Sequence, residues 1–545
     1  MGSGRFTRRE SMIGGVMGGA FLTLPLAVLA AEGTPTTPVA TSAGRIRGLR
    51  SGGVSRFLGV RYGADTRPRR FLPPVPPQPW SGMRDCLVMG SQAVQGVVGG
   101  RPETAVDMNS EFTKRVLATF KATMEPGPGS EDCLFLNVWT PEASPRGRRP
   151  VMVWLHGGGF AIGSAGDAQY DGAALARKGG VVVVTLNHRL NALGYLYLGA
   201  LDPLFADSGN SGTLDQVLAL EWVRDNIAAF GGDPGNVTIF GQSGGGAKVS
   251  AMLTVPRAHG LFRRAIIESG PGLRMAERAD AAAVAERTLA KLSLAPGDVR
   301  KLQTLDVQAV VRASAEAAAE TRSPRALSPV VDGRTLPSHP FDPAAPAISR
   351  DVPLIVGTNK DEGTLFLAAD PGFGKMTADE AKARFVRILG PRGEAAFEAY
   401  RAAHPSDPPT YWVSALMSDV PTRMDSIRIA ERKAAQHGAP VFMYRFDWTM
   451  PTLGGVMRTP HGLEVPLVFD NPDKAPLLLG TGPEPRHLAD VFSQAWIDFA
   501  RNGDPSQPGL AWPSYDPVRR LTMIFDVHSH VVSDPDAALR RFWEA

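Results

Sequence analysis

Several features are scarce in this chain, and each scarcity excludes something. There are two cysteines in 545 residues, Cys86 and Cys133. Neither lies near the N-terminus, so a lipoprotein is excluded. Of ten histidines, His528 and His530 form the one spacing that suggests a metal, and no cysteine–aspartate cluster accompanies them, so a solvated tail is expected instead. The net charge is +4, and the basic residues are scattered, which gives no footprint for nucleic acid. No internal repeats are visible. The glycine run at 157–159 is not followed by Gly-Lys-Ser/Thr, so it does not read as a phosphate loop. The expectation is no metal, no organic cofactor and no nucleic-acid partner.

What is present is an ample core, with 43% hydrophobic residues. Length alone would allow three or four domains; the motifs below fit one continuous domain with insertions better. The N-terminus reads as an export signal, residues 1–31. Arg8-Arg9 stands in a twin-arginine-like context, an uncharged stretch runs from Ser11 to Ala31, and Val28-Leu29-Ala30 precedes a cleavage site. Cleavage leaves no stable membrane anchor and implies a periplasmic or secreted protein. The competing reading is an uncleaved anchor, since the run is just long enough to span a bilayer. Residues 32–41 read as a linker, and short strands are expected over 42–62.

Two motifs carry chemistry. Phe240-Gly241-Gln242-Ser243-Gly244-Gly245 is a G-x-S-x-G pattern. Asn236–Phe240 before it reads as a buried strand and 245–253 after it as a helix. Ser243 therefore sits on a strand-to-helix turn, where glycines remove side chains that would collide. Upstream, the strand Arg149–Leu155 runs into His156-Gly157-Gly158-Gly159-Phe160. A glycine-rich loop of this kind brings backbone N–H donors close to an oxyanion. Together the motifs point to a serine hydrolase acting on an acyl bond.

These residues resemble the type-B carboxylesterases, the cholinesterase-like branch of the α/β-hydrolases. Further matches are Ser130–Trp139 around Glu131-Asp132-Cys133, Asn187-His188-Arg189, Leu214-Asp215-Gln216, Trp222–Ile227, Phe230–Pro234, Gly357–Gly363, His461-Gly462-x-Glu464 and Phe499–Pro505. The resemblance covers roughly residues 42–540. It implies an α/β fold with a large, mostly parallel central sheet flanked by helices. Residues 42–545 then form one domain, and helical insertions at about 276–320 and 377–437 wall the active site.

The resemblance also implies the site. Chain order in such hydrolases is Ser, Asp/Glu, His, satisfied by Ser243, Glu362 and His461. The strands at 352–357 and 440–446 precede the acid and the histidine. Asp361 is the rival carboxylate, and the family pattern favours Glu362. The N–H groups of Gly158, Gly159 and Gly244 form the expected oxyanion hole. Ser269 is expected in a supporting role, and Arg189–Asp215 and Arg70–Glu131 as ion pairs that scaffold the fold. Gln242 stands where the family often has Glu, which removes a negative charge beside the pocket.

Residues 87–132 hold no Trp or Tyr, so the aromatic platform for a choline cation is missing. The family usually bridges the cysteine of Glu-Asp-Cys to one in a Gly-x-x-Cys context. Here that stretch is Gly90-Ser91-Gln92-Ala93, and the resemblance leaves Cys86–Cys133 as the expected bridge. The implied activity is hydrolysis of small to medium carboxylic esters through an acyl-enzyme. A lipase, an amide or carbamate hydrolase and an acyltransferase share the same triad. A non-catalytic cholinesterase-like binding protein is the alternative of another class.

Overall fold

The computed structural model describes residues 33–96, 107, 110–121, 129–321, 323 and 325–545; the expected export signal lies outside them. Short apolar runs such as Val-Val-Val-Thr-Leu and Leu-Ile-Val-Gly-Thr are too brief for helices and are buried on both faces. That is the signature of a parallel sheet covered on both sides. Seven strands run parallel: β1 (Arg149–Leu155), β2 (Val182–Leu186), β3 (Gly232–Gln242), β4 (Arg264–Glu268), β5 (Leu354–Asn359), β6 (Val441–Phe446) and β7 (Leu521–Phe525). Their spatial order is β2-β1-β3-β4-β5-β6-β7. Antiparallel strands, with Phe135–Thr140 next to β2 and His530–Ser533 next to β7, extend the sheet to twelve. Thr34–Pro35 is its outermost strand and Val39–Ala40 belongs to a separate three-stranded sheet, so much of the stretch read as a linker is already paired. Pro35 is tolerated there because an edge strand need not donate every N–H.

Alternation along the strands separates two apolar layers. Leu354, Val356, Val441 and Met443 face one; Ile355, Phe442, Tyr444 and Phe446 face the other. Helix α1 (Ser211–Asn226) covers the first with Val217, Leu220 and Val223. Helix α3 (Pro483–Asn502), which follows α2 (Gly244–Met252) in the chain, covers the second with Phe492, Trp496 and Phe499.

The chain passes from β1 to β2 on one side, then to β3 on the other side of β1. Strand order therefore reverses at β1/β3, and a crevice opens at the carboxyl ends of those strands. The glycine loop leaves β1 there, and Ser243 leaves β3.

Both expected insertions are helical. Arg278–Lys291 and Val307–Thr321 share a cluster with Leu193 and Leu196, just past β2. The second comprises Ala378–Leu389, Gly393–Ala403, Pro409–Ser418 and Met424–Ala434. It rests on the Glu362 loop, where Gly363 N–H donates to Ser418 Oγ at 2.9 Å. Both ion pairs form. Arg189 binds Asp215 through Nε at 2.9 Å and Nη2 at 2.7 Å. Arg70 binds Glu131 at 2.6 Å and also donates to the carbonyls of Leu302 and Leu305, which ties the first insertion to the body.

The expected disulfide is absent. Cys86 and Cys133 are both free and buried. Cys86 is fixed by main-chain bonds to Arg47 and Leu58, whereas Cys133 lies just before the strand at 135–140. Each thiol packs in the apolar layer as a small hydrophobe. Burial pushes the Cys86 thiol up to about 11 and Cys133 higher still.

Candidate active site

The turn from β3 into α2 is too sharp for ordinary backbone angles. Ser243 occupies it at φ 59° and ψ −124°, a conformation an L-residue adopts only when its surroundings enforce it. Its N–H is held by Glu268 O at 2.8 Å, at the end of β4. The glycines around it permit backbone contact. A Cβ on Gly241 would lie 2.6 Å from Leu155 O, and one on Gly244 would lie 2.5 Å from Gly159 N. The elbow and the glycine loop are thus packed main chain to main chain. Gly158 and Gly159 have φ of 86° and 62°, which bends the loop over the elbow. Gly157 would carry a Cβ 3.6 Å from Ser243 Cβ. Gly159 and Gly244, two of the three expected oxyanion donors, are neighbours in space, and Gly158 is next to Gly159 in the chain.

Glu362 is fully buried past the end of β5. Its Oε1 accepts from Asn359 N–H at 2.7 Å, and its Oε2 faces His461 Nδ1 at 2.5 Å. An ionised carboxylate only accepts, so Nδ1 carries the proton and Nε2 keeps its lone pair. Gln242 Nε2 lies 3.3 Å from that nitrogen and donates to it. Phe366 flanks the imidazole with ring centroids 5.2 Å apart. Asp361, the rival acid, turns away toward Arg458 at 3.6 Å. Burial raises its pKa and the Arg458 charge opposes the rise.

Ser269 donates to Glu464 Oε1 at 3.1 Å, so it reaches the site through a second carboxylate. Asn359 Nδ2 donates to Glu464 Oε2 at 2.5 Å and to Pro460 O at 2.7 Å, which fixes the histidine loop. Glu268 receives Trp496 Nε1–H at 2.8 Å on one oxygen, while its other oxygen is buried without a partner. Burial, then the Glu362 charge, raises Glu464. Burial, then the Glu464 charge, raises Glu268 well above the usual carboxylate range. The sequence analysis assigns no role to Asn359, Glu268 or Glu464. The signal available was position: each carboxylate ends a strand or follows the histidine by less than one helical turn.

An imidazole that keeps a lone pair on Nε2, is oriented by a buried carboxylate and contacts the residue before a strained serine is the kind of base that can accept that serine's proton. The comparisons agree with this chemistry. The profile of the carboxylesterase family matches residues 35–543. The para-nitrobenzyl esterase of Bacillus subtilis is 34% identical over 510 residues, 92% of this chain and 97% of that protein. The phenmedipham hydrolase of Pseudarthrobacter oxydans is 33% identical over 497 residues, covering 88% and 93%. Among solved structures, a carboxylesterase of Geobacillus stearothermophilus superposes with a TM-score of 0.78 at 38% identity, covering 93% of this chain and all of that one. The sheet is accordingly that of an α/β-hydrolase, and the chain belongs to the carboxylesterase family as a serine carboxylic-ester hydrolase.

Proposed function

We propose that Ser243, His461 and Glu362 are the catalytic triad of this esterase, with Gly158, Gly159 and Gly244 as its oxyanion hole. The observation that carries the reading is the 2.5 Å contact between Glu362 and His461 Nδ1, which leaves Nε2 as a base on the elbow side. In this reading His461 Nε2 takes the Ser243 proton as Oγ attacks the ester carbonyl. The three N–H groups hold the oxyanion. His461 returns the proton to the leaving alcohol, then activates water to release the acid. Small to medium neutral esters are the proposed substrates. The absence of Trp and Tyr over 87–132 argues against quaternary ammonium esters. Hydrolysis of phenmedipham is the second reading, favoured by the likeness to phenmedipham hydrolase.

The deciding experiment is hydrolysis of a p-nitrophenyl ester series, acetate to palmitate, by wild type and Ser243→Ala. Activity on the short esters that drops to background in the variant is expected. A peak at palmitate would make it a lipase, and equal activity of both proteins would overturn Ser243 as nucleophile. We also propose export: the Arg8-Arg9 segment and its uncharged run direct the protein out of the cytoplasm, to periplasm or medium. N-terminal sequencing of exported protein checks this, and an intact Met1 would contradict cleavage. No helix among the described residues is long and apolar enough to cross a membrane.

A further inference from the structure

Helix α2 begins at the elbow and is built of small and apolar residues, with one exception. Lys248, one turn past the nucleophile, is 1% exposed. Its Nζ donates to His156 O at 2.8 Å and sits 5.6 Å from the centre of the Phe160 ring. Those two contacts are the first and last residues of the glycine loop. A single side chain from the nucleophile's helix therefore grips both ends of the segment that carries Gly158 and Gly159.

Among the described residues no carboxylate pairs with Lys248, and burial alone pulls its pKa down to about 7. Its other neighbours are two imidazoles, His156 and His188, stacked 4.9 Å apart at 11°. Each places Nδ1 on a backbone carbonyl, Gly157 O at 2.9 Å and Arg189 O at 2.8 Å. Burial first, and then the Lys248 charge, keeps both rings neutral. An ammonium buried without a counter-charge is costly, and such costs collect where charge is used. Here the one group that becomes negative nearby is the oxyanion under Gly158 and Gly159.

We propose that Lys248 is the positioning residue of the oxyanion hole, whose ammonium clamps the loop His156–Phe160 at both ends and supplies uncompensated positive potential to the oxyanion. The proposal rests on the serine-esterase reading and on those two glycines as donors.

The test compares wild type, Lys248→Met and Lys248→Gln. Four quantities are read: kcat and KM for p-nitrophenyl butyrate, the inhibition constant of an aliphatic trifluoromethyl ketone, and Tm. The ketone is attacked by Ser243 Oγ, its proton passes to His461, and the hemiketal oxygen carries the negative charge, so it reports on the hole directly. With Met, kcat is expected to fall about 100-fold, the scale of one lost oxyanion donor. KM stays near wild type, the ketone weakens by the same factor as kcat/KM, and Tm holds or rises because a buried charge is gone. Gln keeps a donor for His156 O without the charge and should fall between.

An unchanged kcat and ketone affinity with a lowered Tm would make Lys248 a core filler and overturn the proposal. A Met variant that does not fold would overturn it too, since a neutral chain is expected to be no harder to bury. Wild type inactive on every ester would instead sink the esterase reading.

Discussion

His461 meets a carboxylate on one nitrogen and an amide on the other, and the difference fixes what each neighbour does. Glu362 only accepts, so it selects the Nδ1–H tautomer and stabilises the imidazolium that forms when the serine proton arrives. Asp361 is adjacent in sequence and nearly as buried, yet its partner is Arg458. These adjacent carboxylates meet different partners because the loop after β5 directs successive side chains to different places. Glu362→Gln should therefore lower kcat by about 10⁴-fold, as loss of the orienting carboxylate does in serine hydrolases. Asp361→Asn should leave kcat close to wild type and shift Tm. Steady-state kinetics on a short p-nitrophenyl ester checks both, and the reverse pattern would exchange the two roles. At this scale the sequence points to Glu362 only through a family pattern, while the structure supports that reading with a contact to His461 Nδ1.

At the scale of elements, the parts nearest the chemistry were the most legible. The sequence reading of β1 matches its observed bounds, Arg149–Leu155, because a short apolar run ends abruptly at His156 and the glycines after it. β5 was read two residues early at each end, since Val352-Pro353 continues the apolar run but Pro353 cannot donate to the ladder. Helix α1 is buried around most of its circumference, so it shows little amphipathic period, and the sequence analysis takes Leu214-Asp215-Gln216 only as a family match and places no helix there. The ion pair tying α1 to the segment after β2 is the element-scale test. Asp215 is fully buried, and Arg189 meets it with two side-chain bonds and its own N–H. Arg189→Met should cost about 3–5 kcal/mol, because it strands a buried carboxylate. Adding Asp215→Leu should recover most of the loss, because no charge is then left unpaired. Urea denaturation of the single and double variants measures this. A double variant no more stable than the single one would mean that the pair itself, and not the orphaned charge, holds the helix.

Across the whole molecule, the sequence conveys the sheet and the three proposed catalytic positions but not the buried polar network behind them. The reason is physical. A strand or an elbow is encoded within a dozen residues, whereas Glu268, Asn359 and Glu464 belong to β4, β5 and the histidine loop and meet only after the sheet has assembled. The network has a consequence for stability against pH. Glu464 has its pKa raised in the folded state by burial and then by the Glu362 charge. The protonated form is therefore favoured by folding. Its contribution is full below the unfolded carboxyl pKa of about 4.3 and is lost as pH rises through the higher folded value. Gln at this position cannot ionise and keeps an oxygen for Ser269 or Asn359. His156 and His188, whose pKa values are lowered by burial, push stability the opposite way as pH falls. They are common to both proteins and cancel in the difference. The Tm of Glu464→Gln relative to wild type should therefore climb from pH 5 to about pH 7, the folded value of Glu464, and level off above it. A difference that stayed flat or fell across that range would show that Glu464 is ionised in the folded protein throughout, with Ser269 and Asn359 supplying enough hydrogen bonding to hold its charge.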